Sequence, residues 1–362
     1  VAAAGAARAI GHPSGSPLIA PGDWRPTWWV GIIVAFVGWV AAVTLLARSS
    51  INERAALSLA VLIQITPLAT PVLLSGDVFG YVSYGHAHDP YHDFGHLSDA
   101  YGPLWTALCR VAVHLGGSTY LFRVLALCSV LATTVMASRL AARKTLAIAF
   151  LGWNPLVAIH FSGAGHLDAF MMVLAVAGIA LARSGRPQLA GAAWIGSVFV
   201  KWVTAPLYVL WAIDARRRRH SIGLAGALVA CLAILGLSYG LFGSNWLHAF
   251  SLLSWQEHQF FSFGMVPWLR DLGLRTGTAI TISNVAELAA FAAFAFQAWR
   301  HRVRLGFAAG TLMILSPKFQ PSYLIWCIAL AAVDDEDRWG KLLAVVMTGV
   351  LLSDALSPVL NA

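Results

Sequence analysis

Apolar runs, each about 20 residues long and so long enough to cross a hydrocarbon core, recur along almost the whole chain, with short clusters of arginine or lysine between them. Inside a bilayer no water satisfies backbone polar groups, so each run must close its own hydrogen bonds as a helix. That restricts the chain to an all-α fold, a polytopic transmembrane helical bundle of about 11–12 hydrophobic segments. Only 11% of the residues are charged, where a soluble domain carries about a quarter. One transmembrane body over 27–362 is therefore expected, after an Ala-, Gly- and Pro-rich flexible segment at 1–26 with no signal-peptide pattern. The net charge of +8 does not point to nucleic acid, because the basic residues sit in the short clusters, where they act as topology signals and contacts for membrane lipids. Cys109, Cys128, Cys231 and Cys327 all lie in apolar stretches at no metal spacing and read as small core residues.

Residues 27–47 and 55–74 read as spans, with Arg48 and Arg54 between them on the cytoplasmic side. Further spans follow at about 120–138, 145–161, 167–182, 221–242, 278–298 and 340–356, and two passes flank 316–321. Residues 103–115 are short and interrupted by Arg110 and His114, so they are expected as an interfacial amphipathic helix. Lys201-Trp202 and Pro206 divide 188–213 into two half-length helices, tolerated where the break faces protein or a wet cavity. The basic clusters then fall on one side and the polar loops at about 75–119, 162–167, 243–276 and 316–321 on the other, which suggests one site assembled on that second face.

The richest of these loops begins Gly76-Asp77-Val78-Phe79-Gly80-Tyr81, and 75–102 holds four Asp and four His. Asp77 reads either as a helix start or as a general base at the mouth of a membrane cavity; capping would also orient its carboxylate. His86, His88, Asp89, His92, Asp93 and His96 have no tight metal spacing and read as hydrogen-bonding loop residues. No cofactor is demanded; a divalent cation is compatible with the sequence but not required by it. His166 and Asp168 read as loop-satisfying groups or sugar ligands. A lysine among apolar half-helices is costly and by default functional, so Lys201 is a candidate ligand for a lipid phosphate, and Lys318 is a second. Trp105, Trp202 and Trp255 can stack on a sugar ring or cover a polyprenyl tail.

Together these residues resemble the GT-C superfamily of polyprenyl-phosphate-sugar-dependent glycosyltransferases, and are similar to actinobacterial polyprenyl-phosphomannose-dependent alpha-mannosyltransferases. The likeness rests on Gly76–Tyr81 with Asp89-Pro90-Tyr91; Tyr101-Gly102-Pro103-Leu104-Trp105; Asn154-Pro155-Leu156 with Gly163-Ala164-Gly165-His166-Leu167-Asp168; Val200-Lys201-Trp202 before Pro206; and Ser316-Pro317 with Pro321–Trp326. It covers about 70–330. Leu167 stands where relatives carry a polar residue, and the His-rich insert after Tyr84 departs from the usual loop.

The resemblance implies an inverting transfer of a hexose, mannose by likeness, from a polyprenyl-phosphate donor to a glycolipid or lipid-linked glycan, at the external face of a bacterial plasma membrane. It assigns the catalytic acid of the first external loop to Asp77. Lys201 or Lys318 would hold the donor phosphate. Tyr81, Tyr84, His86, His88, Tyr101, Trp105, His166, Asp168, Trp202, Glu257, His258 and Gln320 are the candidates for sugar or acceptor contacts. A phosphate leaving group needs no general acid, so one base and one or two cations suffice. A transporter or flippase of a lipid-linked sugar is the alternative, favoured by the broken 188–213 pair but not by the asymmetric loops. A membrane scaffold, in which Asp77 and Lys201 would be dispensable, is a third reading.

Overall fold

The computed structural model describes residues 25–95, 98–259 and 263–360, and among these the fold is all-helical. The 1–26 segment falls almost wholly outside the described residues. Among the described residues four helices are long and apolar enough to cross a membrane: α1 (Arg25–Leu46, of which Pro26–Leu46 is the apolar part), α5 (Thr119–Leu140), α11 (Leu224–Phe242) and α14 (Thr276–Arg300). A fifth span is formed if α6 (Lys144–Gly152) and the stretch Pro155–Gly163, which meet at 48°, count as one. The protein is thus an integral membrane protein.

Asn154 sits at that bend for a local reason. Its side chain accepts hydrogen bonds from the Leu156 and Val157 amides at 3.0 and 3.2 Å, so it caps α7 (Pro155–Val157), which runs on into a π-helical turn (Ala158–Gly163). Arg123 of α5 is buried beside it. Its guanidinium donates to the carbonyls of Ser162, Thr70 and Pro67, which ties the end of the π turn to the segment ahead of the site. That segment corrects the expectation of a span over 55–74. α2 (Glu53–Ile65) has only 13 residues, and Pro67 and Pro71 turn the chain into a 3₁₀ turn (Thr66–Ala69) and extended backbone.

Two pairs of half-length helices organise the remainder. The first is α9 (Pro187–Val200) with α10 (Ala205–Arg217), joined through Lys201 and a 3₁₀ turn at Trp202–Thr204. The second is α15 (Leu305–Leu315) with α16 (Leu324–Val333), joined through 316–323. α15 has 11 residues, about 16 Å at 1.5 Å per residue, half of what a span needs. The outer ends of both pairs, at Pro187, Arg218, Leu305 and Val333, line one cleft, whereas their inner ends, at Lys201, Ser316 and Tyr323, line another. Both pairs therefore enter the bundle from the same end and turn back within it. The broken 188–213 helix was expected; the two passes flanking 316–321 were expected at full length and are not.

α3 (Asp77–His86) lines the inner-end cleft and packs against α4 (Pro103–His114), which packs in turn against α9. α4 has 12 residues, about 18 Å, too short to span. One face is buried through Trp105, Cys109 and Val113, while Val111 stays exposed. Gly102, just before α4, donates its N–H to the Val200 carbonyl at 3.0 Å, and a Cβ there would stand 2.0 Å from the Phe199 carbonyl oxygen. Only glycine lets this loop lie against the end of α9.

The loop between α3 and α4 is held from inside by Asp99. This side chain has no exposed surface; it accepts from the Thr106 hydroxyl and from the Tyr101 N–H, both at 2.7 Å. Burial pushes its pKa up to about 7 against these bonds, which favour the anion. An acid raised on folding destabilises the fold as pH climbs from the ordinary carboxylate range through that value. Thermal stability in detergent is expected to fall between pH 4 and pH 7, by roughly 4 kcal/mol if the whole shift is expressed, and Asp99→Asn is expected to flatten that slope. A wild-type slope that the variant retains would mean that another group is responsible.

Candidate active site

A cleft of about 350 Å³ opens at the inner ends of the two helix pairs, within the range that takes a small ligand. Asp77 and Tyr84 of α3 and Tyr101 of the following loop form one wall. Lys201, Trp202 and Leu207 form the floor beside the first pair. Lys318, Gln320, Tyr323 and Trp326 close it from the second pair, and Glu287 of α14 completes the ring.

Asp77 is the first residue of α3, where a helix N-terminus favours an anion. Its side chain is one-third exposed (34%), and its Oδ2 receives the Tyr101 hydroxyl at 3.2 Å and meets His166 Nδ1 at 3.3 Å. Burial raises its pKa, but the His166 hydrogen bond, the charges of His166 and Lys201 and the Ser75 hydroxyl outweigh this. The net is a carboxyl held well below the usual range. An ionised carboxylate only accepts, so His166 Nδ1 carries the shared proton. His166 itself is buried behind Asp77, tilted against His160 and edge-on to Phe161. It reaches that place through Gly165, whose φ of +79° belongs to the left-handed region.

Deeper in, Lys201 Nζ donates to Asp168 Oδ1 at 2.8 Å, and the Trp326 indole N–H donates to the same oxygen at 2.9 Å. Both charged groups are buried. The ammonium also lies 4.0 Å from the centre of the Tyr323 ring, a cation–π contact. Lys201 stops α9 because its backbone is extended (φ −154°, ψ 121°), and that break aims its side chain at Asp168, the first residue of α8 (Asp168–Arg183).

Lys318 and Gln320 reach the cleft by alternation. Phe319 between them is fully buried, and its carbonyl accepts from the Phe263 N–H at 3.3 Å in an isolated antiparallel bridge. In extended backbone neighbours point opposite ways, so burying Phe319 sends the flanking pair into the cleft. Trp202 stacks on Trp246 and lies tilted against Phe250, which brings part of the 243–276 loop to the same wall.

The candidates of the sequence separate clearly. Asp77, Tyr84, Tyr101, Lys201, Trp202, Lys318 and Gln320 line the cleft. His166 and Asp168 stand behind it and hold Asp77 and Lys201. Tyr81 and Trp105 do not reach it: they are buried, edge-on to each other at 5.0 Å and next to Phe122, an aromatic footing beneath α3. His86 and His88 are exposed and outside the cleft, because Arg110 draws that loop outward by donating to the Ala87 and His88 carbonyls. Among the described residues no three His, Cys, Asp or Glu side chains form a metal-holding group. The side chains of Glu257 and His258 lie outside the described residues. Glu287, Tyr323 and Trp326 were not singled out as site residues. A lone Glu inside the apolar run 278–298 was the available signal, and the two aromatics sit in the Pro321–Trp326 block.

A family model, "alpha-(1->6)-mannopyranosyltransferase, N-terminal domain" of the MptA/B family, matches residues 23–215, more than half of the chain. The chain belongs to this family. It is a mannosyltransferase, which removes the transporter and scaffold readings as its primary role. No match was found among curated proteins or among solved structures. The matched part of the mannosyltransferase carries Asp77, Tyr101, His166, Asp168 and Lys201, while Glu287, Lys318 and Gln320 lie beyond it.

Removing one partner of a buried ion pair leaves an uncompensated charge and costs about 3–5 kcal/mol. Lys201→Met is therefore expected to lower the stability of the mannosyltransferase by that order, and Lys201→Met/Asp168→Asn to recover most of it. Chemical denaturation in detergent reads both. A double variant as unstable as the single one would show that the pair is not coupled in this way.

Proposed function

We propose that the protein transfers mannose, with inversion, from a polyprenyl-phosphate donor to a hydroxyl of a mannosylated glycolipid or lipid-linked glycan, at the membrane face opposite its basic clusters. The observation that carries this reading is one cleft in which the ionised carboxylate of Asp77 faces the ammonium groups of Lys201 and Lys318.

The chemistry follows from the charges. The acceptor hydroxyl attacks the anomeric carbon while the bond from that carbon to the phosphate oxygen breaks, and the polyprenyl phosphate leaves with the electron pair. Its extra negative charge is met by Lys318 and Lys201, fixed groups in a poorly hydrated cleft. Lys201 is held in place for this by Asp168. The hydroxyl proton passes to Asp77. The Tyr101 and His166 contacts of Asp77 both fall on Oδ2. A weakly basic carboxylate suffices, because the hydroxyl becomes acidic only as its bond to carbon forms. A single displacement that gives an α-linked product calls for a β-linked donor. Tyr84, Tyr101 and Trp202 offer faces for sugar rings, and Glu287 and Gln320 offer oxygens to their hydroxyls. Leu207, Ala309, Leu312 and Met313 form an apolar flank for the start of the lipid tail.

Purified protein with a β-linked polyprenyl-phosphomannose and a mannosylated glycolipid is expected to yield an α-(1→6)-linked product by NMR. Asp77→Asn is expected to lower kcat by about 10²–10⁴ without weakening donor binding; a fully active variant would remove Asp77 from this role. Because the Asp77 carboxyl is held down, the wild type should keep its activity to pH values below the ordinary carboxylate range, about 4. His166→Ala releases that carboxyl, so its acid limb should move up in pH. A purely structural His166 would lower kcat and leave the limb where it was.

A further inference from the structure

At the end of the bundle away from Asp77, the outer ends of the two helix pairs ring a second cleft of about 770 Å³. Four arginines line it, Arg183, Arg218, Arg219 and Arg302, together with two carboxylates, Asp214 and Asp334. The carboxylates are already engaged. Asp214 pairs with Arg218 at 3.0 Å and Arg217 at 3.2 Å, and Asp334 with Arg302 at 2.9 Å and Arg304 at 3.2 Å. Arg183 instead donates to the Leu140 carbonyl at 2.9 Å. Among the described residues neither Arg183 nor Arg219 pairs with a carboxylate. The lining therefore carries two more guanidiniums than carboxylates (4 − 2).

Three further features give this excess a direction. Arg219 is held at φ +59°, a left-handed conformation that costs a side-chain-bearing residue about 1–3 kcal/mol; its backbone N–H is fixed by the Arg216 carbonyl at 2.9 Å. The N-termini of α9 and α15 open on the same cleft at Pro187 and Leu305 and add partial positive charge. The remaining lining is largely apolar, including Ile179, Trp211, Val303 and Leu330, with His220 and Ser221 beside the arginines. A concave wall with more guanidiniums than carboxylates above a largely apolar base fits an amphipathic anion. Guanidinium forks match phosphate oxygens, and basic pockets between membrane helices suit lipid head groups.

We propose that this cleft is a binding site for a phosphate group, anchored by Arg183 and Arg219 and supplied by the head group of an anionic membrane lipid. It is separate from the reaction centre, and its occupant touches the outer ends of both pairs whose inner ends carry Lys201 and Lys318.

The test is native mass spectrometry of delipidated, detergent-purified full-length protein. Phosphatidylglycerol, phosphatidylcholine or inorganic phosphate is added, and thermal melts are run on the same samples. Both arginines are exposed, so Arg183→Gln/Arg219→Gln should fold, and unchanged melting without ligand verifies it. The wild type is expected to retain phosphatidylglycerol in preference to phosphatidylcholine. The double variant is expected to lose that preference by about tenfold or more. An equal charge removal elsewhere, Arg48→Gln/Arg338→Gln, is expected to keep it. Equal retention by the double variant, or equal loss in the charge-matched control, overturns the site. Stabilisation of the wild type but not the double variant by inorganic phosphate, with no lipid preference, overturns the lipid source and assigns the anion to solution. Each readout is independent of sugar transfer, so failure here and failure of the proposed reaction are distinguishable.

Discussion

The hydrogen-bonded ion pair between Lys201 and Asp168 is the contact on which the remainder of the site depends. Two broken helices and the start of α8 converge at it, and each break leaves backbone groups without helical partners. Such a convergence is stable only if something specific outweighs the desolvation of two charges. Here the Trp326 indole donates to the same carboxylate oxygen and the Tyr323 ring covers the ammonium. The pair thereby fixes the α9–α10 connection, the α15–α16 connection and α8 in one register. Its net contribution to stability is small by comparison; what it contributes is geometry.

Asp77 and Asp168 begin two different helices and look interchangeable as letters. Their surroundings divide the work. Asp168 is sealed away from solvent and spends its charge on a lysine, so it is a structural counter-ion. Asp77 is partly open to the cleft, and an imidazole that only a left-handed glycine could place behind it keeps it ionised. The histidine is the less visible partner, yet it decides in which state the carboxylate meets a substrate.

Composition made the helical membrane body legible, because nothing else accommodates so many apolar runs. The break at Lys201 was legible because a lysine followed by a proline interrupts one such run. The halving of the helices around 316–323 was not: the apolar content of 305–333 is the same whether the chain crosses or turns back, and the difference lies in which ends share a cleft. Glu287 escaped for a related reason, since only packing decides which face of α14 looks inward. Tyr81 and Trp105 misled in the other direction. Aromatic residues next to a catalytic loop are as useful for footing as for stacking on sugars, and spacing does not separate the two uses. The histidines at 86 and 88 point away because Arg110, distant in the chain, pulls their backbone outward.

The short extended stretch through Phe319 has a consequence for how such a site can change over time. Lys318 and Gln320 enter the cleft only because the residue between them is anchored in the core, so the stretch works as a reading frame of period two. Side chains can be exchanged at either cleft-facing position with little disturbance. Inserting or deleting a single residue would turn an aromatic ring into the cleft and bury a charge. Diversity at this wall should therefore come by substitution, and length is the one property it must keep.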